Sequence, residues 1–206
     1  GMPASPGAIS GVTFEDGKVR TNVIGDVAPI GVCGTGVIDA VALMVRLGVV
    51  DETGYLLGAD ELEGLIAEYA GREGDRNVFY LVDDHSVFIT QDDVRSLQLA
   101  KAAVCGGIMT MLDAAGIGVS DIESLEIAGG FGAYLNLDSA AAIGLFPEEL
   151  LPLASSVGNT SGEGATSLLL SSAARARESA IVEQCTYLEL STSAEFNDFY
   201  IEMMEF

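Results

Sequence analysis

Along the first half of the chain the apolar positions change period several times. Residues 12–15 and 19–24 alternate on either side of Asp16-Gly17-Lys18, which predicts an antiparallel hairpin turning at Asp-Gly. An apolar run from about Val37 to Leu47, closed by Gly48, predicts a helix with a glycine cap. Between 51 and 93 the pattern loosens into an amphipathic helix near Asp60–Tyr69 and a strand pair near Val78–Val82 and Ser86–Ile89. Thr90-Gln-Asp-Asp93 has the form of a capping box with Asp in place of Glu. It opens a long helix, Gln91 to Ala115, whose apolar positions recur at helical spacing and which Gly116 ends.

The second half reads as strands alternating with helices. Ser120-Asp-Ile-Glu caps a single turn, Leu125–Ala128 is a short strand bound for the interior, and Asp138 through Ile143 is helical. Leu153–Val157 is a further strand, followed by a helix from Ala165 to about Gln184, a strand over Thr186–Leu190, and a last helix capped by Ser193. This order predicts an α/β layer with a mostly parallel sheet. No internal repeat is present.

Composition narrows the function classes. The chain has 206 residues, with 9 Lys+Arg against 31 Asp+Glu, a net charge of −22. Such a surface cannot supply the clustered cations that nucleic acid or an anionic membrane requires. Hydrophobic residues make up 49% of the chain, enough for a core. The longest stretch without a charge, Gly1 to Phe14, has 14 residues and contains two prolines, so it is no membrane span. Twelve acids and two arginines fall between 51 and 93, which reads as a small solvated subdomain. Cys33, Cys105 and Cys185 form no C-x-x-C pair, which argues against zinc and disulfide scaffolds and for a reducing cytoplasm. No signal peptide is visible, and a chain that starts at Gly1 reads as a processed or engineered piece.

Glycine, at 25 copies, carries the candidate chemistry. Gly31-Val-Cys-Gly-Thr-Gly36 and Gly129-Gly-Phe-Gly132 each lie between an extended segment and a helix or turn. Such edges present free backbone N–H groups and a positive helix end to a phosphate, a sugar or a base. Neither has the order of the dinucleotide fingerprint, and no lysine follows in the phosphate-loop pattern. Each cluster alone reads sooner as a tight strand-to-helix turn needing positive φ than as a ligand site. Asp83-Asp84-His85 reads as a solvated loop, and Cys105 and Cys185 as core. Arg175 and Arg177 are expected to pair with acids, and Gly164 and Ala165 to pack a helix tightly on the sheet. Asp39 and Arg46 either line a cleft or mark a polar stripe.

Ile127-Ala-Gly-Gly-Phe-Gly-Ala-Tyr-Leu135 resembles the adenosine motif of the actin/sugar-kinase/heat-shock-chaperone ATPases. More closely, the chain resembles the C-terminal ATPase domain of reductive activators of corrinoid proteins, which are ferredoxin-like iron–sulfur proteins. Pro6-Gly-Ala-Ile9, Gly31 through Asp39, Ile89 through Ala102, Val157 through Ala165 and Tyr187 through Thr192 follow that family in order. The resemblance implies the C-terminal lobe of an actin-like (ribonuclease H-like) ATPase. Its mixed sheet would be flanked by helices, with an acidic α+β subdomain at about 49–93 and an α/β part at about 94–206. It implies nucleotide contacts at Gly34, Thr35, Gly36, Gly129, Gly130, Phe131 and Gly132.

The implied activity is ATP-dependent restoration of Co(I) in a corrinoid methyl-transfer protein, with that protein and a second copy of the chain as partners. ATP and Mg²⁺ would act in the full-length protein, and the iron–sulfur cluster would belong to an N-terminal domain. Cys33 matches only loosely a segment that supplies a cluster ligand in the related dehydratase activators, and a buried inert thiol is the preferred reading. The two acidic-glycine phosphate loops of the superfamily are absent, so the piece alone is not expected to hydrolyse ATP efficiently. A non-catalytic docking or dimerisation lobe and a sugar-kinase-like phosphotransferase lobe are the alternatives.

Overall fold

The computed structural model describes residues 1–206. The hairpin pattern gives β1 (Ala8–Glu15) and β2 (Lys18–Val23), antiparallel, with Glu15 opposite Lys18. The turn is built at Asp16 (φ 53°) and Gly17 (φ 76°), the left-handed pair a two-residue hairpin needs. The chain then returns as β3 (Gly31–Val32), parallel to β1, so the first sheet runs β2-β1-β3.

The first helix, α1 (Gly34–Arg46), begins three residues before the apolar run that announced it. Gly34, Thr35 and Gly36 therefore form its first turn rather than a loop ahead of it. Gly48 (φ 66°) follows its C-cap residue Leu47.

Residues 51–93 differ from their pattern. Asp60–Tyr69 holds two short 3₁₀ turns, Ala59–Glu61 and Leu65–Tyr69, and no α-helix. Gly64, at φ 75°, stands between them in a conformation no helix admits. An additional strand, β4 (Ala70–Glu73), pairs with β5 (Arg76–Tyr80), and β5 pairs with β6 (Phe88–Thr90), all antiparallel. Phe79, Leu81, Val87 and Ile89 join Ile9, Val41, Met44 and Ile143 in one buried cluster. Acidic residues thus coat the outside of a region whose apolar residues belong to the common core.

From Thr90 the capping box forms as read: the Thr90 side chain accepts from the Asp93 amide, and the Asp93 carboxylate accepts from the Thr90 amide. The helix α2 (Gln91–Ala115) ends at Gly116 in the left-handed conformation. The strand β7 (Leu125–Ala128) pairs in parallel with β8 (Ala154–Gly158). Contrary to expectation β7 is not interior, since Glu126 and Ala128 are exposed on one face. Between these strands lies α3 (Leu137–Ala142), capped by the Asn136 side chain.

After β8 the chain leaves the body. The single helix expected there is two, α4 (Thr160–Leu170) and α5 (Ser172–Val182), parted by Ser171 in extended conformation. The Ser171 side chain accepts from the Ala174 amide, and this local cap competes successfully with helix continuation. Neither helix has a buried residue, and Gly164 has no atom near its missing Cβ. The expected tight packing of Gly164 and Ala165 on the sheet is therefore absent. Thr186–Leu190 forms no strand, and the chain rejoins the body at α6 (Ala194–Glu202), which lies across α2. No helix is long and apolar enough to cross a membrane.

Leu169 and Leu170 are 80% and 83% exposed, so they contribute no burial to folding. Changing both to serine is expected to move the thermal midpoint by less than about 2 °C, within the range of neutral surface substitutions.

Candidate functional site

Two glycine-bearing segments, 97 residues apart from Gly34 to Phe131, meet at one cleft. On one side Cys33 is extended, and its amide donates to the Ile9 carbonyl at 3.0 Å. The Thr35 hydroxyl donates to the Ser10 carbonyl at 3.0 Å. These bonds stitch the start of α1 to β1. Gly36 is the point of closest approach: a Cβ there would press into the Ile9 carbonyl and lie 2.9 Å from Val32 Cγ1.

On the other side β7 stops at Ala128, and Gly129 turns the chain at φ 105° while its amide donates to the Gly158 carbonyl at 2.8 Å. Phe131 then lays its ring over Gly34, where a Cβ would be 2.7 Å from Cε2. Gly132 fits against Ile127, which a Cβ would meet at 2.7 Å. Gly130 faces open space.

The cavity between the two segments has a volume of about 700 Å³. Of the seven residues expected at a nucleotide, Gly34, Thr35, Gly130 and Phe131 line it. Gly36, Gly129 and Gly132 do not; they hold the walls in place from behind. Sequence reasoning missed Ser10 and Asn22 of the hairpin, and also Tyr134, all of which line the cavity. Asn22 was legible only as a hairpin position and Ser10 lay ahead of the hairpin pattern, since nothing local says what lies beyond the sheet.

No charged residue lines the cavity. Its electropositive feature is the N-terminal end of α1, which has no acidic residue in its first turn. Phe131 and Tyr134 offer apolar ring faces, while Thr35, Ser10 and Asn22 offer hydroxyl and amide groups. The Cys33 thiol is 2% exposed and sits 3.4 Å from the Thr35 hydroxyl.

Asp39 lies off this cavity, on the body side of α1 beside a smaller polar recess of about 300 Å³ under the hairpin. It is buried, its Oδ2 accepts from the Val12 amide at 3.4 Å, and its Oδ1 has no partner. Burial raises its pKa; Ser139, the Val12 amide and Arg46 pull the other way. A carboxyl raised in the fold stabilises below its ordinary range, and that contribution is lost as pH climbs through the raised value. The gain in stability from Asp39→Asn is therefore expected to be larger at pH 7 than at pH 4, measured by urea unfolding at both.

Other candidate residues lie elsewhere. Arg46 donates to the Asp138 carbonyl. Asp84 accepts from Ser86 in its own turn, and His85 (φ 61°) stacks on Tyr80 with ring centroids 3.9 Å apart. Arg175 donates to the Leu168 carbonyl, and the expected pairing of Arg175 and Arg177 with acids does not occur; the molecule's ion pair is Arg76–Asp92. Cys105 is buried, but Cys185 is exposed, because the segment that carries it never packs on the body. No group of three His, Cys, Asp or Glu side chains is placed to hold a metal ion.

The family described as the C-terminal domain of RACo, the ASKHA domain, matches residues 1–206. The chain is 37% identical over 210 residues to the corrinoid activation enzyme RamQ of Eubacterium limosum, covering 98% of this chain and 35% of that protein. It is 26% identical over 225 residues to the [Co(II) methylated amine-specific corrinoid protein] reductase of Methanosarcina barkeri, covering 98% of this chain and 38% of that one. A solved reductive activator for corrinoid, iron–sulfur protein superposes with a TM-score of 0.87 at 35% identity. That match covers 100% of this chain and 33% of the other. The chain thus spans little more than a third of the length of the curated relatives it matches.

Proposed function

We propose, from the premise that this chain belongs to the family of RACo C-terminal (ASKHA) domains, that its cleft takes the adenosine part of ATP. In this reading, the polypeptide that carries the chain uses ATP to restore Co(I) in a corrinoid protein. The observation that carries the reading is the convergence of Gly34 and Thr35 with Gly130 and Phe131 on one uncharged cavity.

Each wall has a chemical task. The bare Cα of Gly130 leaves room for a flat ring to lie against the main chain, and the faces of Phe131 and Tyr134 supply apolar contact. Thr35, Ser10 and Asn22 supply partners for sugar hydroxyls and ring nitrogens. The donor set fits a nucleoside. It does not fit a polyphosphate with Mg²⁺, for which clustered cations and acids would be needed. Those groups, and the iron–sulfur cluster that supplies electrons, we assign to other parts of the polypeptide; three separated cysteines here do not form a cluster site.

For ATP to drive an uphill electron transfer, it must bind two arrangements of the protein with different affinity. The α1 N-terminus and the 129–132 turn come from opposite sides of the cleft, so a change in their separation would alter nucleotide affinity directly. We assign 49–93 as an outward acidic part and 94–206 as the part bearing the adenosine motif, in a cytoplasmic protein. A second reading, a docking or dimerisation lobe, has its own observation in α4 and α5, which bury nothing in this chain. The test follows Co(II) loss spectroscopically in a corrinoid protein mixed with the polypeptide bearing this chain and a low-potential one-electron reductant. ATP-dependent formation of Co(I) supports the proposal; the same rate with and without ATP contradicts it.

A further inference from the structure

The least ordinary buried group outside the cleft is Lys101, on the body-facing side of α2 and only 1% exposed. A buried ammonium normally sits against a carboxylate. Lys101 instead donates to the main-chain carbonyl of Glu205 and lies over the ring of Phe206, with Nζ 5.0 Å from its centroid. One turn earlier Gln98, 2% exposed, donates to the Met204 carbonyl at 2.7 Å and to the Thr53 carbonyl at 3.0 Å. The Phe206 amide donates to the Glu52 carbonyl at 2.9 Å.

Residues 203–206 thus run from the end of α6 across α2 to the loop at 52–53, joined by main-chain groups and two buried side chains. Upstream, α6 rests on α2 so closely that a Cβ on Gly106 would lie 3.1 Å from the Tyr200 amide nitrogen. The helix is thereby anchored, and it holds Met203 and Met204 through their amides, which donate to the Phe199 and Ile201 carbonyls; beyond them the segment is held by Lys101, Gln98, the Glu52 carbonyl and the contacts of Phe206.

We propose that residues 203–206 form a strap that closes over Lys101 on α2 and ties that helix to the 52–53 loop, its closure strengthening as pH rises. Closed, the strap buries the Lys101 amine under Phe206 and opposite the Gly144 turn, where a Cβ would be 3.4 Å from Nζ. Open, it returns Lys101 to water. Burial pushes Lys101 down from 10.5 to about 8, with Cys105 and Glu205 opposing the shift. Glu149 acts in turn on Cys105, and Arg95 bonds the neighbouring Gln98.

The sign follows from linkage. A lysine whose pKa is lower when the strap is closed binds fewer protons in that state, so closure is favoured as pH rises from about 8 toward 10.5. Below about 8 the amine is protonated in both states and closure is at its weakest. If opening restores the ordinary pKa, the closure constant rises on the order of a hundredfold across that window. By reciprocity, anything that loosens the strap must raise the Lys101 pKa.

Two readouts on the whole chain test this. The sequence contains no tryptophan, so Phe206→Trp introduces a single emitter on the strap. Its emission is expected to shift to the blue between pH 8 and 10.5, and the same variant carrying Lys101→Met is expected to show no such shift. A shift of equal size in both, or in neither, overturns the proposal. Independently, side-chain NMR of the unsubstituted chain should find Lys101 titrating below its ordinary 10.5 and moving upward in Phe206→Ala. A lysine that titrates in its ordinary range in the unsubstituted chain, or one unmoved by Phe206→Ala, overturns it equally.

Discussion

Replacing Gly36 by alanine is expected to lower the unfolding free energy by about 3 kcal/mol or more, an amount at the upper end of overpacking penalties. The added methyl meets backbone on one side, the carbonyl of Ile9, and Val32 on the other. Ile9 is fully buried in β1 and Val32 is in β3, so neither neighbour can rotate out of the way as a long side chain could. Relief would require α1 to lift from the sheet. Lifting would break the Cys33 amide bond to Ile9 and the Thr35 bond to Ser10, which fix the cavity wall. For a chain of this length the thermal midpoint should fall by about 10 °C. Any nucleotide affinity should fall with it. A midpoint within about 2 °C of the unsubstituted chain would show that α1 is not pressed against β1 as described.

Gly130→Asp is expected to do the reverse: leave stability alone and remove binding. Gly130 has ordinary φ and no atom near its missing Cβ, so a side chain is tolerated there without strain. That side chain would enter a cavity with no cation on its wall to receive a carboxylate. It would obstruct the surface on which a flat ring is proposed to lie, and its charge would repel the phosphates attached to that ring. Nucleotide affinity should drop at least about tenfold, equivalent to roughly 1.4 kcal/mol, with the thermal midpoint unchanged within about 1 °C. Titration calorimetry and a thermal melt on the same preparation check both halves. Together the two glycine substitutions separate the residues that build the cleft from those that face its content.

The contrast also shows what the sequence could reveal. Local chemistry was readable at three places: Asp16-Gly17 set the hairpin, the Thr90–Asp93 box set the start of α2, and Gly116 its end. The parallel strand before Gly129 was readable too, but its burial was not. Burial depends on what covers the sheet, and here the helices that follow β8 turn away from it. The two serines at 171 and 172 concealed a helix break because serine is tolerated in a helix and is also a strong cap. Gly64 spoiled the helix expected at Asp60–Tyr69 by a positive φ that no pattern of apolar residues reports. In the site itself, the glycine segments were identifiable one at a time, whereas the pairing of Phe131 with Gly34 is a tertiary contact. Lys101 was invisible for the same reason, since its partners lie more than a hundred residues away.

The charge of −22 gains a more specific meaning beside the cleft. An acidic molecule with an uncharged cavity should draw a nucleotide in by its base and sugar, with little help from its phosphates. Saturation-transfer NMR on the chain with adenosine and with ATP bears on this most directly. The base protons and the ribose H1′ are predicted to receive saturation from the protein in both ligands, and Gly130→Asp to abolish the transfer. Absence of transfer to either ligand, or transfer that survives Gly130→Asp unchanged, would contradict the assignment of this cleft to the nucleoside.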